Sequence, residues 1–97
     1  MNFGQAIEAM KSGKKVARSG WNGKGMFIFL REGRHIVNAE PESIMSKAGF
    51  SEFDSLPHFC MKAADDKLVV GWLASQTDML SEDWGIVGEP EQEAFLD

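Results

Sequence analysis

Two short segments of this 97-residue chain hold the side chains best suited to chemistry. One is Gly20-Trp21-Asn22-Gly23-Lys24-Gly25-Met26-Phe27. The other runs from Gly71-Trp72 through Ser75, Gln76, Thr77 and Asp78 to Trp84. Each sets an indole beside amide, hydroxyl or carboxylate groups. That is the chemistry of a nucleobase site: a flat apolar face for stacking, worth about 1–3 kcal/mol per base, plus a few fixed hydrogen-bonding groups. The alternative is that the indoles are core residues whose N–H groups find nearby partners. For Trp84, followed by the alternating Ile86, the core reading is preferred. For Trp21 and Trp72 both readings stand on physics alone.

Other constellations fail on spacing. Gly20-x-x-Gly23-Lys24-Gly25 is too short for a nucleotide phosphate loop. It lacks the Ser or Thr after the lysine, and an apolar strand follows it where a helix is needed. His58-x-Cys60 offers two metal ligands, but His35 is remote and there is no cysteine pair to complete a set. Alternation along a strand explains His58 and Cys60 more simply. Ser75 has no glycine-flanked elbow, and Ser75-x-x-Asp78 reads as a helix cap. No nucleophile and base stand at a diagnostic spacing.

The elements that must position the two Trp segments are legible in outline. Phe3, Ala6, Ile7 and Met10 fall on one helical face, with Asn2 and Gln5 as a capping box and Gly13 as a stop, so residues 3–12 form an amphipathic helix. Residues 15–19 read as a strand anchored by Val16, and residues 20–25 as a glycine-rich loop. Residues 26–30 are a second strand. Glu32-Gly33 then predicts a tight turn, with residues 34–38 returning as its hairpin partner. Residues 39–56 carry little signal beyond a helix opened near Pro41 and closed by Gly49. Residues 58–63 alternate, with His58, Cys60 and Lys62 on one side and Phe59, Met61 and Ala63 on the other. Asp65-Asp66 turns the chain so that residues 68–72 pair back. Residues 75–80 form one or two helical turns capped by Ser75 or Thr77, and residues 84–87 a last strand. The expected class is α+β, a small antiparallel sheet with an N-terminal amphipathic helix and one or two short helices. Residues 1–87 read as a single ligand-binding domain. Residues 88–97, with four acidic groups and a proline, read as a loose acidic tail whose Phe95 and Leu96 are able to dock.

Composition narrows the function. The formal net charge of −5 argues against general nucleic-acid binding. The charge is uneven: residues 1–35 hold seven Lys/Arg against two Glu, and residues 36–97 hold three Lys against thirteen Asp/Glu. A local positive face made by Lys11, Lys14, Lys15, Arg18, Lys24, Arg31 and Arg34 suits a small phosphate-bearing ligand. Equally, it is an ordinary solvated surface, or one that meets opposite charge between subunits. Cys60 is the single cysteine, so no internal disulfide forms, as suits a reducing compartment. Neither a signal peptide nor a membrane span is readable. A soluble intracellular protein is expected, with no metal and no cofactor.

The segments Asn2-Phe3-Gly4-Gln5-Ala6, Lys15-Val16-Ala17-Arg18, Gly20 to Phe27, Pro57-His58-Phe59-Cys60-Met61-Lys62 and Trp72 to Trp84 together resemble a family of small phage proteins, the second type of Thoeris anti-defence protein. The resemblance spans most of residues 1–87. It is weakest over residues 31–56 and in the tail from Gly88. It implies a non-enzymatic sponge that acts in the host bacterial cytoplasm. Such a sponge binds glycocyclic ADP-ribose, the signal made from NAD by TIR-domain enzymes, and withholds it from its effector uncleaved. It further implies a homotetramer with ligand pockets where subunits meet and, for some members, capture of cyclic dinucleotides at a separate pocket. Carried onto this chain, Trp21 and Trp72 become stacking walls, and Met26 and Phe27 extend the apolar lining. Asn22, Ser75, Gln76, Thr77 and Asp78 bond hydroxyls, base edge or phosphate, and Arg18 or Lys24 neutralises a phosphate. Asp78 repels phosphate, so it faces a hydroxyl or caps the turn. Two other readings remain: a nucleotide-cleaving enzyme using Asp78, Glu82 or His58, and a protein-interaction or virion accessory module that docks through its aromatics.

Overall fold

The computed structural model describes residues 1–37 and 40–88. Asn38, expected at the end of a strand, and the acidic tail beyond Gly88 lie outside the described residues. The fold is α+β. The chain runs α1 (Phe3–Lys11), β1 (Lys15–Arg18), β2 (Phe27–Arg31), β3 (Arg34–Ile36), α2 (Ile44–Lys47), β4 (Phe53–Ser55), β5 (His58–Lys62), β6 (Leu68–Val70), α3 (Gln76–Leu80) and β7 (Trp84–Val87).

α1 forms as its residues dictate. The Asn2 side chain accepts from the Gln5 backbone N–H, the Gln5 side chain accepts from the Asn2 N–H, and Gly13 leaves the helix at φ +90°, a conformation natural to glycine. Its apolar face lies on an antiparallel sheet ordered β6-β5-β2-β1-β7. Val16 is opposite Ile28, and Ile28 opposite Met61. These three close the core with Ala6, Met10 and Trp84. Cys60, one position from Met61, is buried on the opposite face, as the alternation of residues 58–63 requires.

The expected hairpin between residues 26–30 and 34–38 does not form. β2 pairs with β1 on one side and β5 on the other, leaving no free edge. β3 pairs instead with β4 in a separate two-stranded sheet, Arg34 opposite Ser55 and Ile36 opposite Phe53. Residues 34–55 are thus an arm inserted between the neighbouring strands β2 and β5. Gly33 permits this crossing, since a Cβ there would stand 2.5 Å from the Ser55 carbonyl oxygen. The helix expected near Pro41 begins later, at Ile44, with Ser43 as its cap.

His35 clasps the arm. Its Nδ1 lies 2.6 Å from Asp54 and its Nε2 2.8 Å from Glu52. Hydrogen bonding to Asp54, then to Glu52, raises the imidazole pKa above its ordinary 6.5. A raised histidine stabilises the fold fully below the unfolded value and ceases to do so as pH rises through the folded one. The His35 ring should therefore titrate by NMR with a midpoint above 6.5. Amide protection across β3–β4 should weaken through that midpoint, and His35→Ala should remove the pH dependence.

Candidate functional site

The chain from Gly71 to Asp83 carries the polypeptide from β6 at one edge of the sheet to β7 at the other, passing the helix side, where α3 meets α1. That crossing brings Trp72 and Asp78 to the loop after β1, which holds Trp21. Trp21 lies edge-on to Trp84, centroids 5.3 Å apart at 80°, and edge-on to Trp72, 6.2 Å apart at 69°. Both outer indoles are half-buried against the core. Because they meet edge to face, they do not form two parallel walls of one slot within a subunit. Each lines its own groove.

The first groove, about 550 Å³, has Trp72, Phe59, Leu30, Ile7, Pro57 and Leu73 along its walls and is almost wholly apolar. The second, about 420 Å³, gathers Arg18, Trp21, Met26, Asp83 and Gly85. A third, about 430 Å³, holds Phe27 and Phe29 with Lys14, Lys15 and Lys62. Each falls in the size range of sites for small molecules.

Asp78 is the hub beneath the indoles. Its Oδ1 accepts from Arg18 at 2.8 Å and from Trp21 Nε1 at 3.2 Å, its Oδ2 accepts from the Ser75 N–H at 3.2 Å, and its backbone carbonyl accepts from Trp84 Nε1 at 2.9 Å. Ser75 returns a bond to the Asp78 N–H and caps α3. Arg18 also donates Nε to Asp83 at 2.8 Å, and Asp83 accepts from the Gly20 N–H. A Cβ at residue 20 would press within 2.7 Å of that carboxylate, which accounts for the glycine.

Burial pushes the Asp78 pKa up, but hydrogen bonds from Arg18, Trp21 and Ser75 outweigh it and hold the carboxyl below the ordinary range. Asp83 is lowered as well, chiefly by its hydrogen bond from Arg18. A depressed carboxylate contributes stability that is complete above the unfolded value and is lost as pH falls through the folded one. The melting temperature should hold down to about pH 3.8 and fall below it. Asp78→Asn should melt lower at neutral pH and show a shallower acid limb, measured by circular dichroism.

The expected site residues therefore separate. Arg18, Trp21 and Met26 share one groove, Trp72 lines another and Phe27 the third. Ser75 and Asp78 form the cap and its ion pair. Asn22, Lys24, Gln76 and Thr77 are exposed and line none of the three. Asp83, the second partner of Arg18, was not singled out from sequence. Nor was the pair of lysines over Phe27: Lys15 Nζ lies 4.8 Å and Lys62 Nζ 5.9 Å from the ring centroid. Strand alternation puts Lys62 opposite Phe27, but the partner strand has to be known first. No described helix is long and apolar enough to cross a membrane.

The chain is a small α+β domain whose aromatic grooves lie over a salt-bridged hub. The model of the Tad2-like family, described as the Thoeris anti-defense 2-like domain, matches residues 1–87. The chain is also 43% identical over 91 residues to Thoeris anti-defense 2 of Bacillus phage SP01, an alignment covering 90% of this chain and 94% of that one. The protein belongs to the Tad2-like family.

Proposed function

We propose that this protein counters Thoeris defence by sequestering a cyclic ADP-ribose-type signal, glycocyclic ADP-ribose, without cleaving it. Family membership supports the anti-defence role. The state of the acidic groups supports binding without turnover. The two carboxylates nearest the indoles are tied to Arg18 and held below the ordinary range. A general acid working near neutral pH needs the opposite shift. Asp78 and Asp83 act instead as fixed acceptors that hold Arg18 and Trp21 in place.

The Trp72 groove is the favoured seat for the adenine. Its walls are largely apolar, and the half-buried indole offers a stacking face. Leu73 beside it (89% exposed) and the groove's apolar walls lie open to solvent. A homotetramer whose subunits meet here would bury them and close the groove. Enclosure matters because a sponge has no turnover: it must bind its signal more tightly than the effector does. Nanomolar affinity corresponds to about −12 kcal/mol, which a groove left wet on one side does not reach. The lysine-flanked Phe27 groove is a separate seat with the charge to hold a cyclic dinucleotide.

Incubating the protein with glycocyclic ADP-ribose, denaturing it and analysing the supernatant tests the reading. Intact signal recovered in stoichiometric amount is expected. A linear or hydrolysed product would overturn sequestration in favour of a cleaving enzyme.

A further inference from the structure

The ten lysines and arginines of the chain divide unevenly among the three grooves. Lys14, Lys15 and Lys62 line the Phe27 groove, Arg18 lines the Trp21 groove, and Lys11 alone lines the Trp72 groove. The cations that the family resemblance sets beside a phosphate, Arg18 and Lys24, do not serve the Trp72 groove. Arg18 is held by Asp78 and Asp83, and Lys24 lines none of the three. Lys11 stands in the last turn of α1, four residues after Ile7. Positions i and i+4 share a helix face, so both side chains reach the same groove. The other lining side chains are apolar except His58, whose Nδ1 lies 2.9 Å from the Leu56 carbonyl and whose Nε2 is buried. Among the described residues Lys11 has one ion pair, to Glu8 at 3.2 Å. Both side chains of that pair are mostly exposed, and Glu8 lies outside the groove lining.

We infer that Lys11 is the phosphate-binding residue of the Trp72 groove, holding the diphosphate of a ligand whose adenine stacks on Trp72. The inference rests on the reading of that groove as the adenine seat. Three features carry it. Position comes first: a lysine lays its apolar stem along an apolar wall and keeps its ammonium at the wet rim. That rim is where the phosphates of a nucleotide emerge when its base is seated on the indole. Surroundings come second. A cation beside apolar walls is screened less than one in open water, so it attracts an anion more strongly. Ease of exchange comes third. An exposed pair such as Lys11–Glu8 holds its lysine weakly, so a phosphate takes the place of the Glu8 carboxylate at little cost. Arg18 cannot exchange in this way, because two carboxylates hold it in a part-buried site.

Titration calorimetry of the full chain with glycocyclic ADP-ribose tests this, at about 20 mM salt, where screening is weak. Lys11→Gln should bind about tenfold or more weakly, the size of one charge-assisted hydrogen bond. Lys11→Arg, which keeps the charge, should restore most of the affinity. Glu8→Gln should bind about two- to fivefold more tightly, because the competing carboxylate is gone. That gain should vanish when Lys11→Gln is also present, as coupled partners require. At about 0.5 M salt the deficit of Lys11→Gln should shrink. Equal affinity of the parent and Lys11→Gln would overturn the assignment and leave the Trp72 seat standing. So would a loss that Lys11→Arg does not restore, since the side chain would then support α1 and not carry charge to the ligand. A parent that binds no glycocyclic ADP-ribose would overturn the sequestration reading and this assignment together.

Discussion

Replacing Trp84 by alanine should unfold the domain at ordinary temperatures. Trp84 is 3% exposed and contacts α1, the loop after β1 and α3. Phe3 of α1 lies 5.1 Å from its ring and Trp21 5.3 Å, while its Nε1 donates to the Asp78 carbonyl. Truncation leaves a cavity the size of an indole and an unsatisfied buried carbonyl. The expected cost is about 3–5 kcal/mol, against a total stability of roughly 5–15 kcal/mol for a domain. In a chain this short that lowers the melting temperature by roughly 12–40 °C. Trp84→Phe keeps most of the packing but loses the hydrogen bond, so it should fall between the two. Calorimetry of the three proteins checks the order. A Trp84→Ala protein that melts like the parent would show that the Trp84 ring does not hold the core together.

Replacing Trp72 by alanine should instead weaken ligand binding and spare the fold. Trp72 is half-buried, and its ring lines the apolar groove of about 550 Å³. The segment keeps its backbone anchors without the ring, because the Gly71 and Trp72 N–H groups both donate to the Phe59 carbonyl. The loss of one stacked face, about 1–3 kcal/mol, should weaken binding of glycocyclic ADP-ribose by roughly 5- to 150-fold, read by titration calorimetry. The melting temperature should move by only a few degrees. Trp21→Ala is a less clean probe, because Trp21 also bonds to Asp78 and packs on Trp84, so affinity and stability should fall together. If Trp72→Ala melts as low as Trp84→Ala, the indole is core and the stacking assignment fails.

Much of this architecture was legible along the chain. The Asn2–Gln5 box, the Gly13 stop and the Phe3-Ala6-Ile7-Met10 face specify α1. Val16, the apolar run ending at Leu30, the alternation of residues 58–63 and the turn at Asp65-Asp66 specify strands. Ser75-x-x-Asp78 is indeed a cap. β4 was missed, because Phe53–Ser55 is three residues long and has no periodicity to detect. The β2–β3 hairpin was misassigned because a turn signal at Glu32-Gly33 says that the chain bends, and nothing about which strand takes the edge of β2.

What the sequence by itself determined is therefore local: helix face, caps, strand alternation, and the two segments where indoles sit among polar groups. These depend on residues within a few positions of one another, where spacing and conformation are tied. Only the tertiary structure decided that Arg18 is held between Asp78 and Asp83, that Trp21 and Trp72 meet edge to face, and that Lys15 and Lys62 flank Phe27. Those pairings join residues 12–65 positions apart in the chain, and the electrostatics of each group follow from the neighbour that folding supplies.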